Sequence, residues 1–207
     1  MSIRLQAVAA FFAVLLLTSC SQAPKNTMAS GKAEPDTTNG AGGPVSGKTA
    51  FWEMYKSAHA WAPDLTPLSL ESKAMPGAKN DAGKAEMWSA TFGSLSKHEA
   101  RTFSYAVAAH PPDIARGITV GRALPWGGPS RDAMPFISDD FKIDSDAAYK
   151  AAYTKAAAWV EKHPDKQATL TLGNASRFPA PVWYVFWGDK KMGYAVYVNA
   201  KTGAVIK

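Results

Sequence analysis

Val182-Trp183-Tyr184-Val185-Phe186-Trp187 is the stretch that decides the fold of this chain of 207 residues. Apolar and aromatic side chains stand at both its odd and its even positions, so both faces of a strand formed here suit burial. The stretch therefore predicts a central strand of a β-sheet. Gly188 to Gly193 predicts a hairpin connection to a strand over Tyr194 to Asn199, and Thr202-Gly203 predicts a turn near the end.

Alternating patterns predict the other strands. Trp88, Ala90 and Phe92 alternate with Ser89 and Thr91, which is the period of a half-buried strand. The predicted strands run over Leu65 to Ala74, Ala85 to Leu95, Arg101 to Ala109, Ala168 to Leu172, Pro181 to Trp187 and Tyr194 to Asn199, and Ile118 to Leu124 is suited to one more.

The sequence predicts two amphipathic helices, one over Ala50 to Trp61 and one over Ala148 to Trp159. From the second residue of each segment, aromatic and apolar side chains recur at i, i+4, i+7 and i+11. Asp144 to Asp146 supplies side-chain caps for the second helix, and its negative charge suits a helix N-terminus. Pro63 and Pro164 predict where the two helices stop.

The two helix segments have matching sequences, and Trp88 and Trp183 fall at equivalent places after them. Aligned without gaps, the segments share Ala50, Tyr55, Ala58, Ala60 and Trp61 in the first with Ala148, Tyr153, Ala156, Ala158 and Trp159 in the second. The order of elements is thus a helix and then an antiparallel meander, twice. It predicts an α+β fold of two similar units, each a helix packed on an antiparallel β-meander, over residues 49–110 and 143–207, with a joint over 111–142.

The second unit resembles a PepSY-type domain. The resemblance rests on Ile143 to Ala148, on Trp183 to Phe186, and on Tyr197 to Ile206, where a strand ending in Asn runs into Thr-Gly and a further apolar pair. The first unit is a weaker copy, in which Ala106 to Pro111 replaces the Thr-Gly turn. The resemblance implies a small α+β module of exported and envelope proteins, also found in propeptides of secreted metallopeptidases, with no shared catalytic residues.

The N-terminus predicts export. Met1 to Arg4 is a short positive segment, and Ala7 to Leu17 is an uncharged run too short to span a bilayer, so residues 1–19 are predicted to be a signal peptide. Leu17 to Cys20 resembles the lipobox of bacterial lipoproteins, which implies cleavage before Cys20 and attachment of acyl chains such as palmitate to it. Cys20 is the single cysteine and has no disulfide partner in the chain. The alternative is an ordinary secretory signal that ends beside an accidental cysteine.

Residues 20–48 are predicted to form a disordered tether. Ser21 to Lys48 has no aromatic residue and is rich in Gly, Pro, Ser, Thr, Asn, Lys and Ala, so it cannot bury enough apolar surface to offset its chain entropy. A flexible tether of this length has an r.m.s. reach of roughly 30 Å. We expect a lipid-anchored protein that faces the periplasm. Ser21, where a Gram-negative lipoprotein retained at the inner membrane carries Asp, favours the outer membrane by resemblance.

The charge pattern argues against nucleic acid as a partner. The formal net charge is +6, with 23 Lys and Arg against 17 Asp and Glu. The basic residues are spread along the chain, which is typical of surface solvation, although a patch for anionic headgroups or cell-wall polymers is an alternative. They form no dense cluster, and the predicted compartment holds no nucleic acid.

No motif identifies a reaction. His59, His98, His110 and His163 make no HExxH pattern, and no Gly-x-Ser-x-Gly elbow is present. The acidic residues between Asp139 and Asp146 lack EF-hand spacing, so capping and solvation explain them. We therefore predict no catalytic residue, no metal and no cofactor. A pair of carboxylates assembled in space stays open as an alternative.

Trp126 is the one tryptophan outside the periodic elements. It lies in the joint between Pro125 and Gly127-Gly128, where it either packs the two units together or is a possible binding aromatic. The other tryptophans are predicted to be core residues.

Three functions fit this sequence, in decreasing order. The first is a non-enzymatic envelope lipoprotein of PepSY-like type that binds or regulates a protein or peptide partner, for example a peptidase. The second is a small-ligand or lipid-binding envelope module. The third is an envelope hydrolase that uses a spatially assembled acid pair.

Overall fold

The computed structural model describes residues 42–75, 77–78, 80–189 and 191–206. Among these residues no helix is long and apolar enough to cross a bilayer. The predicted signal peptide, Cys20 and the predicted tether as far as residue 41 lie outside the described residues.

The described part of the chain has an α+β fold, as predicted. Its helices are α1 (Gly47–Trp61) and α2 (Ser145–Lys162), with a 3-10 turn at Ser138–Asp140. Its strands are β1 (Val45–Ser46), β2 (Thr66–Lys73), β3 (Lys84–Ala85), β4 (Met87–Ser94), β5 (Glu99–Ala106), β6 (Gly117–Val120), β7 (Leu124–Pro125), β8 (Ala168–Gly173), β9 (Val182–Gly188), β10 (Gly193–Asn199) and β11 (Val205–Ile206).

Nine of these strands form one antiparallel sheet. Its order is β11-β10-β9-β8-β2-β4-β5-β6, and β7 pairs with β5 beside β6. Both predicted meanders, β2-β4-β5 and β8-β9-β10, are present in this order. The predicted central strand is β9, which is paired on both sides. β1 and β3 form a separate two-stranded ladder.

The two meanders meet edge to edge where β2 pairs with β8. Leu70 lies opposite Leu172 at the middle of this short antiparallel ladder. Just beyond it, the hydroxyl of Ser72 accepts the N–H of Leu170 at 2.9 Å, so a side chain continues the pairing where the backbone ladder ends. The sequence patterns predict each meander, but they do not say which strands join them.

Both helices pack on the same face of the sheet. The ring centroid of Phe51 in α1 lies 5.7 Å from that of Phe92 in β4, and Tyr149 in α2 lies 5.6 Å from Trp187 in β9. Burying an aromatic or large aliphatic side chain contributes about 1.5–3 kcal/mol. The largest fully buried side chains of this core are Trp88, Trp183, Trp187, Phe51, Phe92, Phe103, Met54, Leu70, Leu170, Leu172, Val185 and Val198.

Two tryptophans fix the chain just before the N-cap of each helix. The indole Nε1 of Trp88 donates to the carbonyl of Val45 at 3.0 Å, and that of Trp183 donates to the carbonyl of Ile143 at 2.9 Å. Each carbonyl belongs to the residue just before the N-cap of a helix. The two indoles contact each other edge to face, with centroids 6.3 Å apart. Gly47 fits against them, because a Cβ there would lie 2.9 Å from Trp183 and 3.1 Å from Trp88.

One carboxylate caps both helices. Asp144 Oδ1 accepts the backbone N–H of Ser145 at 2.7 Å at the start of α2, and that of Lys48 at 2.8 Å in the first turn of α1. Its Oδ2 accepts the hydroxyl of Ser46, the N-cap of α1, at 2.6 Å. The predicted capping role of the acidic segment is therefore confirmed at Asp144, which also serves the first helix.

The predicted hairpin over Gly188 to Gly193 connects β9 and β10. Asp189 Oδ1 accepts the backbone N–H of Lys191 at 2.8 Å and that of Met192 at 3.2 Å, while Oδ2 lies 3.1 Å from Lys166 Nζ. Hydrogen bonding to the Lys191 N–H, with smaller contributions from Lys166 and Met192, lowers the pKa of Asp189. The hydrogen bond from Lys166 to Asp189 in turn raises the pKa of that lysine.

Two predicted boundaries are wrong. The folded part begins before residue 49: β1 pairs with β3, and α1 starts at Gly47, so the end of the predicted 20–48 tether belongs to the fold. The Asp144 caps and the Trp88 hydrogen bond hold residues 45–48 in the fold. The polar composition of the segment gives no indication of these contacts. The predicted strand Ile118 to Leu124 is two strands, β6 and β7, because the chain leaves the β5 edge after Gly121 donates to Thr102 O at 2.8 Å.

Candidate functional site

The side of the sheet turned away from α1 and α2 is called the open face. Among the described residues no helix packs on it, because both helices lie on the other side. Alternation along the strands places there Ser69, Glu71 and Lys73 of β2, Ser89, Thr91 and Gly93 of β4, Thr102 and Ser104 of β5, Thr169, Thr171 and Gly173 of β8, Tyr184 and Phe186 of β9, and Ala195 and Tyr197 of β10.

Aromatic side chains gather at one end of the open face. Phe178, Tyr184, Phe186 and Tyr197 are called the aromatic cluster. Tyr184 and Phe186 have centroids 5.9 Å apart and ring planes within 9° of parallel. Tyr197 lies 5.1 Å from Tyr184 and 5.3 Å from Phe178. All four are half-buried, so the cluster presents apolar surface to solvent where a partner can contact it.

Phe186 lies across the neighbouring strand. A Cβ at Gly193 would collide with its ring, so the glycine lets the ring pass over β10. Gly193, the first residue of β10, therefore makes room for the Phe186 ring as well as ending the hairpin.

A cleft of about 270 Å³ lies beside the aromatic cluster. Tyr184, Tyr197 and Phe178 form its aromatic wall, and Asp132 and Arg177 line it as well. Gly173 also lines it, and a Cβ added there would meet nothing within 4 Å. The missing side chain of one strand residue thus leaves room for a ligand group.

The loop that carries Asp132 is hydrogen-bonded to the segment that follows β8. The N–H of Met134 donates to Asn174 O at 3.0 Å, and the N–H of Ser176 donates to Arg131 O at 2.9 Å. The side-chain amide of Asn174 donates to Pro135 O at 3.0 Å. These bonds hold one wall of the cleft in place without a ligand.

Arg177 is oriented by aromatic rings. Its guanidinium carbon lies 4.9 Å from the ring centroid of Phe178 and 5.7 Å from that of Tyr197, and one Nη lies 3.4 Å from the Tyr197 hydroxyl. Within the described part of the chain it makes no salt bridge. Burial, and then the nearby Tyr197, raise the pKa of Tyr184, so its hydroxyl stays protonated and able to donate.

The other end of the open face is polar. Ser89 and Ser104 share a hydrogen bond of 2.8 Å across β4 and β5, and Thr91 and Thr102 share one of 3.0 Å. These hydroxyl pairs satisfy one another.

The structure places Trp126 on this polar end, half-buried over Gly93. A Cβ at Gly93 would lie 2.7 Å from the indole, so the ring lies directly on the glycine. The backbone N–H of Trp126 donates to the backbone carbonyl of His98 at 2.9 Å. Trp126 does not line the cleft. Its role as a binding aromatic stays a prediction.

Within the described part of the chain, the rings of two of the four histidines lie within hydrogen-bond distance of another residue. His110 Nε2 lies 3.1 Å from Glu86 Oε2, and His163 stacks on Trp159 with its Nδ1 2.8 Å from the carbonyl of that residue. His59 and His98 are exposed. Among the described residues no group of three His, Cys, Asp or Glu side chains is placed to hold a metal ion.

Two carboxylates share one surface hollow, which is the arrangement that the hydrolase hypothesis requires. Asp165 and Asp189 both line it, but Lys166 bridges them with Nζ 3.2 Å from one and 3.1 Å from the other. The pKa of Asp189 is lowered, whereas a general acid needs a raised pKa. This pair therefore suits charge balance at the hairpin better than catalysis.

The aromatic cluster is not predicted from the sequence, because Val182 to Trp187 carries apolar and aromatic side chains at both odd and even positions. The two tyrosines are the residues that could have indicated an exposed face. Tyr184 and Tyr197 each carry a hydroxyl that would need a hydrogen-bond partner if it were buried in the core. Arg177 and Gly173 had no local signal, because their importance depends on the loop that lies opposite them.

No protein-family model matches this chain, and no curated protein matches it in sequence. A solved structure described as a "putative lipoprotein" from Clostridium difficile 630 aligns with it at 11% identity and a TM-score of 0.47, covering 76% of this chain and 90% of that chain. At this identity and TM-score, the similarity assigns neither a family nor a function.

Proposed function

We propose that this protein is a non-enzymatic, lipid-anchored envelope protein of PepSY-like type that binds a protein or peptide partner through the open face of its sheet. The observation that carries the proposal is the aromatic cluster beside a preformed cleft. Aromatic side chains and arginine are enriched in binding hot spots. Here Tyr184, Phe186 and Tyr197 stand on strands, and Arg177 and Phe178 lie in the loop between β8 and β9. Fixed walls reduce the ordering cost of binding.

The tandem PepSY-like arrangement is part of this proposal. It is supported by matching contacts just before the two helices. Trp88 donates its indole N–H to Val45 O, and Trp183 donates its indole N–H to Ile143 O. The number of residues between Val45 and Ile143 is the same as that between Ala50 and Ala148, which head the matching helix segments. Each helix is then followed by a three-stranded meander.

The proposed anchor is Cys20, on the strength of its lipobox-like context. Cys20→Ala should abolish metabolic labelling with a fatty-acid probe and either release the protein or leave it as an uncleaved precursor. Two or more acyl chains anchor stably, whereas one chain binds only marginally. Equal labelling of the wild type and Cys20→Ala would remove the lipoprotein part of the proposal. The outer membrane is the proposed location, and fractionation of envelopes tests it.

The partner is tested by photo-crosslinking in intact cells. A photoreactive residue at Ala195, which is exposed on the open face, is compared with one at Lys155, which is exposed on α2. We expect crosslinks to a distinct protein or peptide from position 195 and not from position 155. Equal crosslinking from both positions, or none from position 195 in any envelope fraction, would contradict partner binding through the open face.

The alternative function is a small-ligand or lipid-binding module, which the aromatic lining of the cleft favours. Its test uses intrinsic fluorescence, because Tyr184 and Tyr197 line the cleft. Fluorescence that changes with a lipid or small metabolite, together with the absence of a crosslinked partner, would select this alternative.

A further inference from the structure

Among the described residues, no carboxylate lies within salt-bridge distance of the Arg177 guanidinium, although Asp132 lines the same cleft. The guanidinium carbon of Arg177 lies 4.9 Å from the Phe178 ring centroid and 5.7 Å from that of Tyr197. A guanidinium is a rigid fork of donors that matches a carboxylate in a bidentate geometry. Its orientation by the rings lowers the entropy that such binding would cost.

The cleft is small. Its volume of about 270 Å³ lies just below the range of roughly 300–1,000 Å³ that is typical of sites for drug-sized ligands. This is room for one large side chain rather than for several. The aromatic wall favours an apolar or aromatic group, and the open space above Gly173 is where that group would enter.

We infer that the cleft takes the carboxyl-terminal residue of a peptide: its apolar or aromatic side chain enters above Gly173, and its terminal carboxylate binds the Arg177 guanidinium. This inference rests on the proposed function, since it names the segment of the partner that the open face recognises.

A chain terminus fits the cleft better than an internal acidic residue. An internal residue would require the peptide to continue in both directions, and the loop that carries Asp132 stands on one side. Asp132 lines the same cleft and repels any carboxylate there, terminal or internal, so its charge does not distinguish the two. A terminal residue supplies one carboxylate and one side chain, which is what the cleft can accommodate.

The test is a titration of the purified mature protein in detergent with acetyl-Gly-Gly-Phe, followed by the NMR shift of the Gly173 amide. The same peptide with a carboxyl-terminal amide is the matched ligand. We expect the acid to bind and the amide to bind about ten- to hundredfold more weakly, because a charge-assisted bond is lost. Arg177→Gln should reduce the affinity for the acid to that for the amide. Gly173→Val should abolish both by filling the cleft.

Arg116→Gln is the control, since Arg116 is an exposed arginine in the 110–116 loop and does not line the cleft. It should leave both affinities unchanged. Thermal unfolding establishes that Gly173→Val is folded. If it is not, Arg177→Gln decides alone, because that exposed side chain has no part in the core.

Several results would overturn the inference: equal affinities for acid and amide, an acid affinity that Arg177→Gln does not change, or no acid binding at millimolar peptide. Equally tight binding of acetyl-Phe-Asp-Gly-amide would assign the cleft to an internal acidic residue instead. Stronger shifts with tri-N-acetylglucosamine would assign it to a glycan. If crosslinking from position 195 survives in Arg177→Gln at wild-type yield, the proposed function stands and only this inference fails.

Discussion

Asp144 supports two helices at once, so its removal should destabilise the protein more than the loss of an ordinary cap. Asp144→Ala deletes an acceptor for the N–H of Ser145, the N–H of Lys48 and the hydroxyl of Ser46, at 2.7, 2.8 and 2.6 Å. Removing one N-cap costs about 0.5–2 kcal/mol, and two helices lose a cap here. We therefore expect a loss of about 1–4 kcal/mol in the free energy of unfolding.

The assay is thermal and urea unfolding followed by circular dichroism. For a folded part of this size, about 2–4 °C is lost per kcal/mol, so Tm should fall by roughly 2–16 °C. The matched control is Asp146→Ala, because Asp146 is exposed and its carboxylate accepts only the N–H of Ala147, at 2.7 Å. That variant should lose less than about 1 kcal/mol. If Asp144→Ala lost no more than Asp146→Ala, the carboxylate would not hold the two helices together.

Three further perturbations test other parts of the structure. Gly47→Ala should lose about 1–3 kcal/mol in urea unfolding, because its new methyl group meets two indoles, whereas Gly43→Ala, with nothing within 4 Å, should change little. A chain that begins at residue 49 should melt at a lower temperature than one that begins at residue 42, since it lacks β1 and the N-cap of α1; equal melting temperatures would restore the predicted tether boundary. The pKa of Asp189 is lowered in the folded state, so its stabilisation is present above the unfolded-state pKa and is lost as pH falls through the folded-state pKa. Asp189→Asn should therefore be less stable than wild type at neutral pH but not in strong acid, and a difference that persists in acid would contradict the assignment.

The sequence was sufficient for elements whose signal is local. Alternation in β4 and the apolar run in β9 predict strands because side-chain period and burial are read directly from neighbours. Pro63 and Pro164 place the helix ends within one or two residues of the observed ones, at Trp61 and Lys162. Such features depend on a few adjacent residues, so one sequence is enough to predict them.

Features that depend on distant residues were not predictable. The pairing of β2 with β8 joins segments about a hundred residues apart in sequence, and nothing in either strand selects the other. The start of the fold at Val45 depends on an indole at Trp88, so composition alone assigned it to the tether. The cleft has the same origin, because Gly173 and Asp132 come from separate parts of the chain and become neighbours only when the sheet forms.

The arrangement of the sheet explains how stability and binding are separated. Both helices, the tryptophan pair and the Asp144 caps lie on one side, where large buried side chains supply the stability. The residues at the aromatic end of the open face are therefore not part of the buried core, and their exposure does not weaken it. Joining two meanders into one sheet also doubles the width of this face beyond what either meander would present alone. If the open face is the binding surface, substitutions at Arg177 and Gly173 should change partner affinity while leaving unfolding unchanged, whereas Asp144→Ala should do the reverse. The opposite distribution of effects would mean that binding belongs to the helical side.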